Sequence, residues 1–426
     1  MPASRLSTIA SFPCTACGCI CDDLQLTVAD GRIIRAENAC QLAEPWLLAQ
    51  NSFDEPEAEI DGRPAPLANA LDRTAEILRN ADYPLAYGLS QCTTDGQRAC
   101  VSLAERLGAL IDTSASVCHA PSVMAQQQVG KVTCTLGEIR NRADFVVFWG
   151  SDPVTTHPRH AERYSVHPTG RFIPRGRADR FVVVADTTLT PSAAEADYFL
   201  PIEPGRHFEA LFALRALVLG AMPDPDRVAG APVERLTELA QRMKRARCGV
   251  IFFGVELARG ESGHCNVEVL LQMVTDLNRH ARWFAMRMRV YGNVVGADSV
   301  LAWQTGYPFA VNLARGYPRY NPGEFSVRSV LERKEVDACL VVGSETLAWL
   351  PPPAIDHLRQ IPTMILDPAG AKSALVPNVG IRTATSGVHE SGTVYRMDGV
   401  PIAVKAVLPS RYPTVTRIVH EIERRL

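Results

Sequence analysis

Four short apolar runs, largely β-branched or aromatic, stop abruptly at glycine, serine or an acid, and they constrain the fold of this 426-residue chain more than any other feature. They are Phe145-Val-Val-Phe-Trp149 before Gly150-Ser151-Asp152, Phe181-Val-Val-Val184 before Asp186, Gly249-Val-Ile-Phe-Phe253 before Gly254, and Ala338-Cys-Leu-Val-Val342 before Gly343-Ser344-Glu345. Unbroken apolar runs of this length suit strands buried on both faces, as in parallel sheets. Helical patterns accompany them at 66–80, 98–111, 207–219, 233–246 and 267–280. Strands alternating with helices predict an α/β, multi-domain chain with largely parallel sheets.

An internal repeat sharpens this expectation. Residues 143–152 and 336–345 share pattern and register, and about thirty residues on, Val182-Val-Val-Ala-Asp186 is echoed by Thr363-Met-Ile-Leu-Asp367. Two related lobes around a cleft are expected, with ligands beyond the carboxyl ends of strands. The segment 306–324 is rich in aromatics and arginine, which suits an interface or a site wall better than a linker.

Charge excludes one large class of partners. Lys plus Arg number 44 against 46 Asp plus Glu, so no basic field draws the chain to nucleic acid or an anionic membrane. Residues 1–12 lack a secretory apolar core, and the longest apolar stretch, near 211–222, is broken by Arg215. A cytoplasmic protein is expected, and its cysteines are then metal ligands rather than disulfides.

Five of the twelve cysteines precede residue 41. Cys14, Cys17 and Cys21 form C-x2-C-x3-C, with Cys40 as a possible fourth ligand and Cys19 expected to point away. Four thiolates suit a [4Fe–4S] cluster, and a structural zinc site is the rival. Cys118-His119, followed by Ala-Pro-Ser122, reads as a loop at a strand end, where a thiolate serves as nucleophile or soft metal ligand. Arg287 and Arg289 are candidates for fork-like recognition of a carboxylate or phosphate. His157, Arg159, His160 and Arg163 follow a strand end and could hold a phosphate or pyrophosphate. No dinucleotide fingerprint, Walker loop or nucleophile elbow stands in a credible context.

Together these residues resemble the B subunit of formylmethanofuran dehydrogenase, within the molybdopterin oxidoreductase superfamily. The resemblance runs through 14–23, 116–122, 133–144, 149–164, 303–308, 315–324 and 390–401. It implies a small iron–sulfur domain at 1–60, one α/β lobe from 61–140 with 300–400, a second from 141–299, and a tail at 401–426, without a C-terminal β-barrel domain. It implies a [4Fe–4S] cluster on Cys14, Cys17, Cys21 and Cys40, and molybdenum or tungsten bis(pyranopterin guanine dinucleotide) on Cys118. His119 would handle a proton and Arg289 would orient a carboxylate. Gly150, Ser151, Asp152, His157, Arg159, Asp186, Gly343 and Ser344 would contact the dinucleotides. The implied reaction interconverts CO2 and formate, with a metallo-amidohydrolase A subunit, C and D subunits and a methanofuran-like formyl carrier as partners.

The chain departs from the family pattern at four places. Asp-x-Arg becomes Asp186-Thr187-Thr188, Pro-Gly-x-Asp becomes Pro204-Gly205-Arg206-His207, Gly-Ser-Asp-Pro becomes Gly343-Ser344-Glu345-Thr346, and Thr-x-x-Ala-Asp is lost near 373–378. These changes fit a second relative, the redox-inactive B subunit that scaffolds the bacterial formyltransferase/hydrolase complex. Both readings stay open on sequence.

Overall fold

The computed structural model describes residues 6–51, 53–260, 263–290 and 292–426. The chain divides into two compact units, Met1–Val117 with Tyr291–Leu426, and Cys118–Val290.

In the Cys118–Val290 unit, five strands pair in parallel in the order Tyr198–Pro201, Phe181–Asp186, Phe145–Trp149, Cys248–Phe253, Arg282–Arg287. All five residues of Phe145–Trp149 are buried, as an unbroken apolar run requires. Leu211, Leu214 and Val218 of the helix His207–Leu219 and Val267, Leu270 and Val274 of Gly263–Leu277 share the core with this sheet. Each such side chain contributes roughly 1.5–3 kcal/mol on burial. Gly249 is paired with Trp283, and a Cβ there would lie 2.5 Å from the indole, so only glycine leaves room for that ring.

Strand order reverses between Phe145–Trp149 and Cys248–Phe253. There the Gly254 amide donates to the Trp149 carbonyl at 3.1 Å, and a Cβ on Gly254 would sit 2.1 Å from the Gly150 carbonyl oxygen. Such a reversal opens a crevice at the strand carboxyl ends, where α/β sheets bind ligands.

The other unit holds a nine-stranded sheet. Its five central strands are parallel, in the order Leu110–Thr113, Pro84–Gly88, Ala338–Val342, Thr363–Pro368, Val379–Thr383. Short antiparallel strands flank both edges. The switch falls between Pro84–Gly88 and Ala338–Val342, where the Leu89 amide donates to the Val342 carbonyl at 2.8 Å. Gly88, at φ 109°, admits this approach, since a Cβ would meet the Val342 oxygen at 2.4 Å.

The repeat seen in sequence is spatial within each sheet. The Gly150 amide donates to the Ala185 carbonyl and the Gly343 amide to the Leu366 carbonyl, both at 2.9 Å. The chain is permuted: the partner beyond the switch comes later in one unit (Cys248–Phe253) and earlier in the other (Pro84–Gly88). One expected helix is shorter than its pattern. The 98–111 run becomes the helix Thr94–Leu107, ended by Gly108 at φ 63°, and Leu110 opens a strand.

The segment 306–324 supplies an edge hairpin. Val311–Asn312 pairs with Leu110–Thr113, Tyr307 stacks on Tyr320 at 5.0 Å, and the Asp112 carboxylate accepts the amides of Ala310 (2.9 Å) and Val327 (2.6 Å). Residues 415–425 form the helix Val415–Arg425, whose Val415, Ile418, Val419 and Ile422 complete the core of this unit. Among the described residues no helix is long and apolar enough to cross a membrane.

Candidate functional site

The cysteine loop lies between the antiparallel strands Leu6–Phe12 and Leu24–Ala29, and Cys40 follows Arg32–Glu37. The Cys14 amide closes the loop on the Cys21 carbonyl at 2.9 Å. Ile20 takes φ 38° and drops, fully buried, between Val394 and Val404. The Thr15 hydroxyl donates to the Ser386 carbonyl at 3.0 Å, 371 residues away, and the Met397 amide to Gly18 at 2.9 Å. A distant part of the chain thus clamps the loop.

Cys14, Cys17 and Cys21 are buried and Cys40 is half-buried. Burial pushes the Cys14 thiol well up, and Cys17, Cys21 and Cys40 push it further, so those three cysteines lie within electrostatic reach of Cys14. An interaction with the Cys19 side chain is the first cause that lowers the Cys17 thiol from its usual range. Among the described residues no three His, Cys, Asp or Glu side chains converge closely enough to hold one metal ion. Four thiols, three on one tight loop, fit the donor chemistry of an iron–sulfur cluster, whose irons would offset the mutual repulsion of the thiolates.

Cys118 sits half-buried where the short helix Ala115–Cys118 gives way to Ala120–Val129. The next residue, His119, is only 3% exposed. Burial first, then the Arg289 and Arg287 guanidiniums, hold its imidazole well below the usual range, so it is neutral; its ring bonds the Met288 backbone. Nδ1 of His119 and, one turn on, Oγ of Ser122 are buried with no hydrogen-bond partner among the described residues.

Arg289 is held through its backbone. His157 Nε2 donates to the Arg289 carbonyl at 2.7 Å, while its Nδ1 pairs with the Thr156 hydroxyl at 2.9 Å. Burial holds His157 down to about 4, so it is the neutral Nε2–H form. Both ring nitrogens are engaged, and His157 positions Arg289 rather than a phosphate. His160, held down to about 3 by burial, stands edge-on to Phe252 at 4.6 Å as a core residue. Arg159 forks onto Glu162 at 2.9 and 3.4 Å, and Arg163 lies over the Tyr164 ring. Lys131, which the sequence did not single out, lies just past Ala120–Val129 and acts electrostatically on His119.

The strand-end residues divide by what they already hold. Asp152 accepts from the Ser192 amide (3.1 Å) and from the Ser192 and Thr155 hydroxyls, and Asp186 from the Thr187 amide (2.7 Å), so both acids brace their own loops. Arg206 pairs with Glu203 at 2.9 Å and Glu209 at 3.3 Å. Ser151 Oγ and Thr190 Oγ1 are buried with no hydrogen-bond partner among the described residues. The Trp149 indole donates to His207 Nδ1 at 3.3 Å, which leaves a buried Nε2–H with no acceptor among the described residues. Orphaned polar atoms of this kind call for a polar ligand or water.

In the other unit, Ser344 spends its amide (2.7 Å) and hydroxyl (2.6 Å) on Asp367. A cavity of about 330 Å³ at the strand ends is lined by Thr15, Trp46, Ser90, Asn293, Glu345 and Asp367. Burial pushes Glu345 up to about 7 and raises Asp367, while the Ser90 hydroxyl donates to Glu345. The Glu345 and Asp367 carboxyls offer acceptors to the N–H edge of an aminopyrimidine, such as a pterin or guanine carries. This donor and acceptor set fits the heterocyclic ends of a pterin dinucleotide better than its phosphates.

No family model matches the chain. It is 40% identical over 412 residues to the B subunit of the tungsten-containing formylmethanofuran dehydrogenase 2 of Methanocaldococcus jannaschii, spanning 95% of this chain and 94% of that protein. The protein of the same name from Methanococcus maripaludis is 38% identical over 93% of each chain. The B subunit of the formyltransferase/hydrolase complex Fhc of Methylorubrum extorquens is 26% identical over 84% of this chain and 94% of that one. Among solved structures, the formyltransferase/hydrolase complex FhcABCD of Methylorubrum extorquens with methylofuran superposes at TM-score 0.71 and 24% identity, covering 86% of this chain and 98% of its counterpart. Acetylene hydratase from Pelobacter acetylenicus superposes at TM-score 0.67 and 10% identity, over 98% of this chain and 69% of that one. These two likenesses establish a shared fold, and identity of 38–40% along nearly the whole length establishes more: the chain belongs to the family of formylmethanofuran dehydrogenase B subunits.

Proposed function

We propose that this chain is the subunit of a formylmethanofuran dehydrogenase-type complex that interconverts CO2 and formate. The observation that carries the proposal is the gathering, within one unit, of Cys118, a neutral His119 with an open Nδ1, and a backbone-anchored Arg289. A tungsten or molybdenum pterin group, held by the Cys118 sulfur, would supply the two-electron chemistry. The protein's share is placement. Arg289 presents a fork that matches a carboxylate. His119 Nδ1, bare in the neutral tautomer, takes the proton that formate gives up on oxidation and returns it on CO2 reduction. Cys14, Cys17, Cys21 and Cys40 would hold an iron–sulfur cluster, which would supply the electron path. Formate goes to a metallo-amidohydrolase A subunit that joins it to a furan amine carrier, with C and D subunits completing a cytoplasmic assembly.

A second reading, a redox-inactive scaffold in a formyltransferase/hydrolase complex, draws on one specific observation. Asp152, Asp186, Arg159 and Arg206 are all engaged with their own neighbours, which weakens the case for dinucleotide contacts in that unit. Formate oxidation with a low-potential viologen acceptor, run on the anaerobically purified complex, separates the two. The redox reading predicts turnover that Cys118→Ala abolishes while assembly persists. Wild-type complex without turnover, or a fully active Cys118→Ala variant, would leave the scaffold reading standing.

A further inference from the structure

The internal repeat puts an acid at the same point of each sheet, and the two acids do different work. In one unit Asp152, two residues past Gly150, accepts the Ser192 amide and hydroxyl and the Thr155 hydroxyl, and so braces its own loops. Its counterpart Glu345 is one methylene longer and lines the cavity of the other unit, where the Ser90 hydroxyl donates to it. There the bracing falls to Asp367, which accepts the Ser344 amide and hydroxyl. The loop after Asp367 lines the same cavity, and its turn is fixed. The Ala371 amide donates to the Pro368 carbonyl at 3.1 Å and the Gly370 amide to Glu55 Oε1 at 3.2 Å. Gly370 takes φ 83°, and a Cβ there would lie 2.1 Å from the Phe53 ring, so this loop rests on that ring. Lys372 follows. It is exposed, lines the cavity, and has no hydrogen-bond or ion-pair partner among the described residues. Among those residues no other Lys or Arg lines the cavity.

We propose that Glu345 and Lys372 are the two ends of one cradle for a phosphorylated amino-oxopyrimidine ring, of the kind that guanine nucleotides and pterin phosphates carry. The proposal rests on the reading of this chain as a pterin-type subunit and deepens it by naming the residues that read ring and phosphate. The ring N–H and the amino group of such a heterocycle point the same way and match the two oxygens of one carboxylate, a fork of parallel bonds. Adenine sets a ring-nitrogen lone pair where guanine has an N–H, so a carboxylate at that place rejects it. Asp367 is buried beside Glu345 on the cavity wall, and two acids at one end repel a phosphate. The unpaired ammonium of Lys372, at the exposed end, is where the phosphate finds its counter-charge. At about 330 Å³ the cavity is within the range of small-ligand pockets.

The test uses the complex made in a host that cannot synthesise the pterin cofactor, with GDP, ADP, guanosine and dihydroneopterin monophosphate as calorimetric probes. GDP should bind, and ADP at least about tenfold more weakly. Lys372→Ala should weaken GDP about tenfold, the loss expected for one charge-assisted contact, and leave guanosine unchanged. Lys372→Arg should keep most of the affinity. Glu345→Gln, which preserves the shape of the wall, should narrow the gap between GDP and ADP. The same dependence on Lys372 and Glu345 with dihydroneopterin monophosphate, and no binding of GDP, would assign the cradle to a pterin phosphate. Failure of both phosphates to bind, equal affinity for ADP where GDP binds, or affinities indifferent to Lys372 would overturn the cradle. The parent reading fails separately: a native complex without turnover leaves the cradle standing if nucleotide binding still depends on Lys372. A native complex that turns over, with nucleotide affinity indifferent to Lys372, overturns the cradle alone.

Discussion

Asn293 and Gly296 make a coupled pair whose energetics follow from the structure. Asn293 is 3% exposed; its Nδ2 donates to the Cys92 carbonyl at 2.9 Å and its Oδ1 accepts the Tyr395 amide at 2.7 Å. Asn293→Ala strands both backbone groups at a cost of roughly 1–3 kcal/mol each, about 3 kcal/mol in all after relaxation. Gly296 lies one turn on, in the helix Val294–Thr305, and a Cβ there would fall 2.1 Å from Asn293 Oδ1. Gly→Ala inside a helix ordinarily stabilises by about 1 kcal/mol. Here the methyl must expel the amide, so Gly296→Ala alone should destabilise by about 2 kcal/mol. With Asn293→Ala already present the obstruction is gone, and the same change should stabilise by about 1 kcal/mol. The double-mutant cycle therefore predicts a coupling near 3 kcal/mol, read by denaturant unfolding and by exchange of the Tyr395 amide. Additive effects, or a stabilising Gly296→Ala in the wild-type background, would refute the reasoning.

Three further outcomes follow from the same geometry. Burial pushes Glu345, Asp112 and Glu390 up to about 7. Their folded values exceed the unfolded ones, so the folded state binds extra protons between about pH 4 and 7. That stabilisation is complete below the window and is lost as pH rises through it, so Glu345→Gln should flatten the decline by up to ~3 kcal/mol in unfolding measurements from pH 5 to 8. Ile20→Ala should cost about 2–4 kcal/mol locally and lower the iron retained per chain, because the cysteine loop loses its anchor against Val394 and Val404. Cys40→Ser should lower iron content without that loss of stability; full iron would place the fourth ligand elsewhere.

The strands were legible because Phe145–Trp149 and Ala338–Val342 must be apolar on both faces, and only such runs suit a sheet interior. The helix at 98–111 overran because Leu110 and Ile111 are as apolar as the helix face before them; Gly108 alone marks the boundary. The repeat showed which strands correspond, but strand order depends on pairings over hundreds of residues, such as Val342 with Gly88. Local charge was a poor guide to role. His157 looked like a phosphate holder because its true partner, the Arg289 carbonyl, lies 132 residues away. Lys131 went unmarked for the opposite reason: a lone lysine after a glycine carries no signal until Arg287 and Arg289 are folded against it. The Ile20 anchor and the Thr15–Ser386 bond are invisible for the same reason of distance.

The most direct test of the central claim, that this chain is a working redox subunit, is the metal content of the complex purified anaerobically from its host. Elemental analysis with an EPR spectrum should find close to one tungsten or molybdenum and about four iron atoms per chain. Iron without tungsten or molybdenum, or neither metal, would contradict the account and leave Cys118 and Arg289 as parts of a scaffold.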